Sequence, residues 1–169
     1  DPFGLKSQYV GLENFKFLAS DSYYRASFLT TLLFSTLVSV FSMGLGLYFA
    51  ALADRLIKGA GVYQTLLLWP YAVAPAVAAV IWSFLFSSRI GLVSWYLGMF
   101  GYDWNHALNS NEAMGLVVLA SSWGRISYNF LFFLAGLQAI PKSVIEAAAI
   151  DGASFWKRFR TIVIPLLSP

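Results

Sequence analysis

No charged side chain falls between Arg25 and Asp54, none between Lys58 and Arg89, and only Arg125 intervenes between Glu112 and Lys142. Each run exceeds the roughly 20 residues that an α-helix needs to cross the hydrocarbon of a bilayer. The pattern predicts three transmembrane helices, at 26–53, 62–86 and 113–139, all long enough to tilt, kink or project beyond the lipid. The chain is 11% charged and 59% hydrophobic, against about 25% charged residues in an average soluble domain. The fold class that follows is all-α, a polytopic membrane bundle.

The same residues exclude several functions. A net charge of +3 is what loops between membrane spans require, so it does not point to nucleic acid. Without cysteine there is no disulfide, thiolate nucleophile or usual zinc site. His106, the single histidine, reads as a solvated loop residue and cannot hold a metal alone. Asp54 and Glu112 fall at helix ends beside water, which does not support paired-carboxylate chemistry. No P-loop, nucleophile elbow or dinucleotide fingerprint is present in the sequence. The expectation is a chain with no catalytic residue, no metal and no cofactor of its own, hence not an enzyme.

Segments 54–61 and 140–169 carry Arg55, Lys58, Lys142, Lys157, Arg158 and Arg160, whereas 1–25 and 87–112 carry Lys6, Lys16, Arg25 and Arg89. The excess of cations places the first pair in the cytoplasm and the second outside. Residues 8–25 mix aromatic and polar side chains, including Tyr23 and Tyr24, as a segment at the lipid–water boundary does. The chain starts without Met, basic leader or cleavage site and stops shortly after Pro165, so it is expected to be an internal fragment of one larger transmembrane domain, 1–169.

Inside the first span Ser35, Ser39, Ser42, Gly46, Ala50 and Ala53 recur at helical spacing, a small-residue stripe expected to face protein. Pro70 and Pro75 predict a kinked or broken second helix, which either lines a cavity or is a packed kink. Arg125 lies within the third span, where a central arginine costs about 2.5 to 3.5 kcal/mol. Tyr128 and Asn129 follow three and four residues later, so guanidinium, phenol and amide share one face. Arg125 either contacts solute, serves structure or gating, or snorkels to a partner; a guanidinium suits phosphate oxygens.

The segment 140–169 is the one long polar stretch after these spans. Pro141 suits a first helical turn, Ala147, Ala148 and Ala149 favour helix, and Gly152 stands where a helix reverses out. Ser154 is placed to cap a second helix, which is expected to run through Arg160 until Pro165 interrupts it. Helix, turn, helix is the prediction.

Glu146, Ala147, Ala148, Gly152, Ile162 and Pro165 stand at the spacing of the cytoplasmic EAA loop, so the segment resembles that of the permease subunits of binding-protein-dependent ABC importers. Ile164 departs from the leucine usual there. Val10-Gly11-Leu12-Glu13-Asn14-Phe15 is similar to a signature of the carbohydrate-uptake branch. Asp1-Pro2-Phe3-Gly4, Pro70-Tyr71-Ala72-Val73-Ala74-Pro75-Ala76 and Phe100-Gly101-Tyr102-Asp103-Trp104-Asn105-His106 resemble that branch's permeases for sn-glycerol 3-phosphate.

The resemblance implies a six-helix permease of the bacterial inner membrane, coupled to its ATPase through Glu146, Ala147, Ala148, Gly152, Ile162 and Pro165, with Lys157, Arg158 and Arg160 facing an acidic surface of that ATPase or anionic lipid headgroups. The implied partners are a second permease subunit, a dimer of ATP-binding subunits that hold ATP and magnesium, and a periplasmic or extracellular solute-binding protein. The implied solute is sn-glycerol 3-phosphate or a glycerophosphodiester, with Arg125, Tyr128, Asn129, Pro70 and Pro75 along its pathway. A sugar or oligosaccharide permease is the alternative within the class. A secondary transporter is the alternative outside it.

Overall fold

A computed structural model describes residues 9–55 and 60–167 of the chain. Asp1-Pro2-Phe3-Gly4, Lys6, and Lys58 of the expected inside loop lie outside the described residues, as do 168 and 169. Two compact units are distinguished, residues 1–37 and 38–169. The described residues are helical with connecting turns and no strand among them.

In the first unit, α1 (Glu13–Ser20) is short. α2 (Ser22–Arg55), which contributes residues to both units, is capped where the Asp21 carboxylate accepts a hydrogen bond from the Tyr23 amide at 2.8 Å. Tyr9, Phe15, Phe17 and Tyr23 are exposed, matching an aromatic boundary segment. α2 covers the expected span 26–53 and is by itself long and apolar enough to cross a membrane.

The second unit holds the packed core. α3 (Ala60–Ala72) and α4 (Pro75–Leu85) occupy the expected span 62–86, but they are bent by 96° and do not form one rod. The two prolines act differently. Pro70 is carried inside α3, whereas Pro75 opens α4, and Ala74 before it is driven to an extended ψ of 132°. The ring of a proline excludes helical backbone at the residue ahead of it, so the chain turns at Val73-Ala74.

α5 (Leu92–Met99) lies in the following loop, and α6 (Ser110–Ala139) covers the expected span 113–139. α6 is an uninterrupted helix of 30 residues, about 45 Å at 1.5 Å per residue. Glu112, Arg125 and its serines dilute its apolar character, and it reaches the hydropathy of a span only together with α7 (Lys142–Ile150), from which it is bent by 68°. α3 and α4 both pack on α6. Trp82 of α4 meets Trp123 of α6 edge to face at 5.9 Å.

The core cluster joins Ala50 and Ala53 of α2 to Phe130 and Leu134 of α6, flanked by Tyr63, Leu67 and Leu68 of α3. Four members of the small-residue stripe, Ser42, Gly46, Ala50 and Ala53, are buried; Ser35 and Ser39 are exposed, contrary to expectation. The buried line is continued by Val38 instead. Small side chains there let two backbones approach closely where lipid gives no hydrophobic drive.

The second helix of the terminal segment also departs from expectation. α8 (Phe155–Arg158) passes through a π-turn (Phe159–Val163) into α9 (Ile164–Leu167), so Pro165 sits inside a continuing helix. The wider π-turn removes the ordinary hydrogen-bond register just where Pro165 lacks a donor, and its ring is accommodated.

Candidate functional site: the α7–α9 bracket and its cavity

The bend into α7 is set by Ile140 and Pro141, both extended, with ψ of 123° and 126°. The exit is set by Gly152, whose φ is +76°. The Ala153 amide donates to the Ala148 carbonyl at 3.0 Å and the Gly152 amide to that of Ala149 at 3.1 Å. This doubly bonded reversal needs a left-handed residue, which glycine supplies without a Cβ penalty. Ser154 Oγ then accepts from the Lys157 amide at 3.3 Å and caps α8. Helix, turn, helix is therefore present where it was expected, with both punctuating residues in the expected roles.

A clasp closes the bracket. Arg158 Nη1 donates to the Ile145 carbonyl at 3.5 Å, tying α8 to α7. Phe159 stacks on Trp156 at 5.7 Å and on Phe155 at 6.1 Å. Arg158 is thus half-buried and turned inward, not aimed at a partner surface as the sequence reading had it. It stands three residues after Phe155 and four before Ile162, which puts it on their helix face, a signal visible in the sequence.

Between the bracket and the ends of α2 and α6 lies a cavity of about 570 Å³, lined among others by Ala51, Asp54, Gln138, Lys142, Glu146 and Arg158. Arg158 Nε is buried there without a hydrogen-bond partner among the described residues. Two carboxylates and two cations thus share one space. A neighbouring apolar groove of about 330 Å³ runs between Gly44, Tyr48 and Leu52 of α2 and Phe155, Trp156 and Phe159.

Of the residues expected to couple to an ATPase, Glu146, Ala147, Gly152 and Pro165 are exposed, while Ala148 and Ile162 are half-buried. Ile150, one turn beyond Ala147, is 86% exposed. Ala147 and Ile150 share a helix face by spacing, with no side chain of the described residues covering Ile150. The bracket therefore presents a small, flat apolar step outward and keeps its polar clasp inward.

The expected pathway residues are brought together in part. The Tyr128 ring lies 6.2 Å from that of Tyr71, which follows Pro70 and precedes the α3–α4 break that Pro75 fixes. Asn129 instead packs against Gly46 of α2. Arg125 is exposed, with no ion pair or hydrogen bond among the described residues. Near it, Ser122 and Ser127 are buried with hydroxyls that have no partner among the described residues, and the sequence reading had passed over both.

Glu112, expected beside water, is buried instead. It is 8% exposed and its carboxylate accepts from Tyr102 Oη at 3.0 Å, Asn105 N at 2.6 Å and Asn109 Nδ2 at 2.9 Å. That hydrogen bond, ahead of burial and the carboxylate charge, raises the Tyr102 phenol above its ordinary value. His106 is half-buried, its ring 6.3 Å from Trp104, and not a solvated loop residue.

Residues 42–169 match the family described as "Binding-protein-dependent transport system inner membrane component", and the chain belongs to that family of inner-membrane proteins. Among its relatives, the sn-glycerol-3-phosphate transport system permease protein UgpA of Yersinia enterocolitica is 59% identical over all of this chain and 57% of its own length. UgpA of Shigella flexneri is 60% identical over all of this chain and 57% of its own length. The chain therefore spans somewhat over half of the relatives it matches. The crystal structure of a bacterial ABC transporter involved in the import of the acidic polysaccharide alginate superposes with a TM-score of 0.78 at 20% identity, over 96% of this chain and 58% of that one.

Proposed function

We propose that this chain forms part of the permease subunit of an ATP-driven importer for sn-glycerol 3-phosphate or a glycerophosphodiester. The observation that carries the reading is the bracket of α7 to α9: a glycine-reversed helix pair built on Glu146, Ala147, Ala148, Gly152, Ile162 and Pro165. Identity of 59 to 60% to permeases named for that solute supports the substrate. The bracket meets the ATPase on the cytoplasmic side and passes its closure to α2 and α6, whose ends line the cavity behind it. A short, internally bonded lever transmits such a displacement with little bending.

ATP and magnesium belong to the ATP-binding partner dimer, and this chain contributes no group to hydrolysis. A second permease subunit completes the pathway. A solute-binding protein delivers the ligand to the side opposite the bracket. Arg125, Tyr128 and the break between Pro70 and Pro75 are the candidate solute-facing groups, Arg125 being a free guanidinium among the described residues and so available to a phosphate.

A sugar or oligosaccharide remains the nearest rival within the class, since fold is shared by importers of many solutes. Uptake by the complete complex with labelled glycerol 3-phosphate, competed separately by glycerol 3-phosphate and by maltose, decides between them. Competition by maltose alone overturns the phosphate reading. Failure of the complex to co-purify with an ATP-binding subunit overturns the importer reading itself.

A further inference from the structure

The loop between α4 and α6 is tied down at two points, and both are buried. The first is the carbonyl of Phe86 at the end of α4, which accepts from Ser94 Oγ at 3.1 Å and Trp104 Nε1 at 3.0 Å. The chain folds back tightly here: a Cβ built on Gly91 would sit 2.5 Å from the carbonyl oxygens of Leu85 and Ser87. The second is Glu112 in the first turn of α6, which gathers Tyr102, Asn105 and Asn109 onto one carboxylate. Ser88 Oγ reaches Asn105 Oδ1 at 3.4 Å and links the two.

A carboxylate removed from water is tolerated only when its lone pairs are occupied. Here Oε1 accepts from Tyr102 and Asn109, and Oε2 from the Asn105 amide. The three donors lie in the last eight residues of the loop, which this one side chain gathers onto the first turn of α6, while Trp104 and Asn105 tie the same stretch back to Phe86 and Ser88. Phe86, Trp104 and Trp82 add a ring cluster, with centroids 5.3 Å and 5.7 Å apart, beneath it. Above it, Ile90, Trp95, Phe100 and Leu108 are exposed.

We infer that Glu112 is the positioning residue that makes loop 87–109 a stiff strap between the end of α4 and the start of α6. A load applied to the loop's outer surface then moves α4 and α6 together, and with them the α3–α4 break and the helix face that carries Arg125. The strap is the counterpart, at the opposite end of α6, of the bracket formed by α7 to α9. That the load is a docking solute-binding protein rests on the function proposed above; the stiffness of the strap does not.

The test uses the full importer complex in lipid nanodiscs with Glu112→Ala, Glu112→Gln and Tyr102→Phe. Arg89 is exposed in the loop, and tryptic cleavage after it reports loosening. Glu112→Ala is expected to speed cleavage about tenfold, the worth of a buried charge-assisted hydrogen bond. Glu112→Gln shifts it in the same direction, because whichever way its amide turns, the NH2 meets a donor, the Asn105 N–H or Asn109 Nδ2. Tyr102→Phe removes one of three donors while Oε1 keeps its bond from Asn109, so a smaller effect of about threefold is expected; it stays informative if the Glu112 variants fail to assemble.

With loaded binding protein titrated against ATP hydrolysis, the Glu112 variants should raise the half-saturating concentration more than they lower the maximal rate. Cleavage at the parental rate in every variant that assembles overturns the strap. Faster cleavage with an unshifted half-saturation overturns its role in transmission. A parental complex that ignores the binding protein counts against the proposed function alone, and the cleavage ratios still decide the strap.

Discussion

Gly46 of α2 lies so close to Asn129 of α6 that a Cβ built on the glycine would sit 2.7 Å from the Asn129 Cβ and 3.1 Å from the Phe130 amide nitrogen. One obstacle is backbone, which cannot rotate away. The contact adjoins the core cluster of Ala50, Ala53, Phe130 and Leu134, and it sets how near two membrane helices come.

Gly46→Val is accordingly expected to force α2 and α6 apart, at a cost of about 1 to 3 kcal/mol typical of overpacking. A lower thermal midpoint of the purified protein in detergent checks it. Gly44, at which an added Cβ meets nothing within 4 Å, is the control: Gly44→Ala should leave the midpoint unchanged or slightly raised, since alanine is the better helix former.

Gly152→Val should uncouple ATP hydrolysis from transport. A β-branched residue at a φ of +76° costs about 1 to 2 kcal/mol and opens the reversal between α7 and α8. Gly152→Asn, which tolerates that conformation better, should retain most coupling. Solute moved per ATP hydrolysed in proteoliposomes is the quantity to compare, and equal ratios for Gly152→Val and parent would contradict the lever.

Arg158→Ala removes the hydrogen bond that ties α8 to the Ile145 carbonyl of α7 and leaves the two helices joined through the reversal at Gly152. The expected result is a looser α7, read as faster amide exchange across 142–150, with about 1 to 2 kcal/mol lost locally. Lysine at 158 should rescue little, because an ammonium cannot reproduce the guanidinium fork. Unaltered exchange in both variants would remove the clasp.

Arg125→Ala is expected to cut uptake by about tenfold, the scale of one charge-assisted contact, with the complex still assembling, as measured in vesicles with labelled solute. Arg125→Lys should recover part of the loss if charge is what matters. Undiminished uptake in the alanine variant ends its candidacy as a pathway residue.

The Tyr102 phenol carries a pH dependence. Its folded value is raised by the hydrogen bond to Glu112, so the native loop holds the proton more tightly than the unfolded chain does. The stabilisation is complete below the ordinary phenol value near 10 and is lost as pH rises through the raised one. An alkaline titration followed at 295 nm should show an increment above that ordinary value that vanishes in Tyr102→Phe.

What the sequence determined by itself was local or compositional. The uncharged runs set an all-α membrane class, Gly152 and Ser154 set the reversal and cap of the terminal bracket, and Pro75 set where α3 gives way to α4. Each depends on a residue's own backbone limits or on transfer out of water, and neither requires a partner far along the chain. What only the tertiary structure decided depends on what lies opposite. Glu112 and Asp54 look alike in sequence as acids at helix ends, yet Glu112 is buried because a loop folds three donors onto it. Arg158, one of three cations in a row of four residues, turns inward because the Ile145 carbonyl faces it across the reversal. Ser35 and Ser42 share a stripe, but Ser42 alone is buried. A repeat states which face a residue occupies and not how far along that face the neighbouring helix extends; burial follows the neighbour.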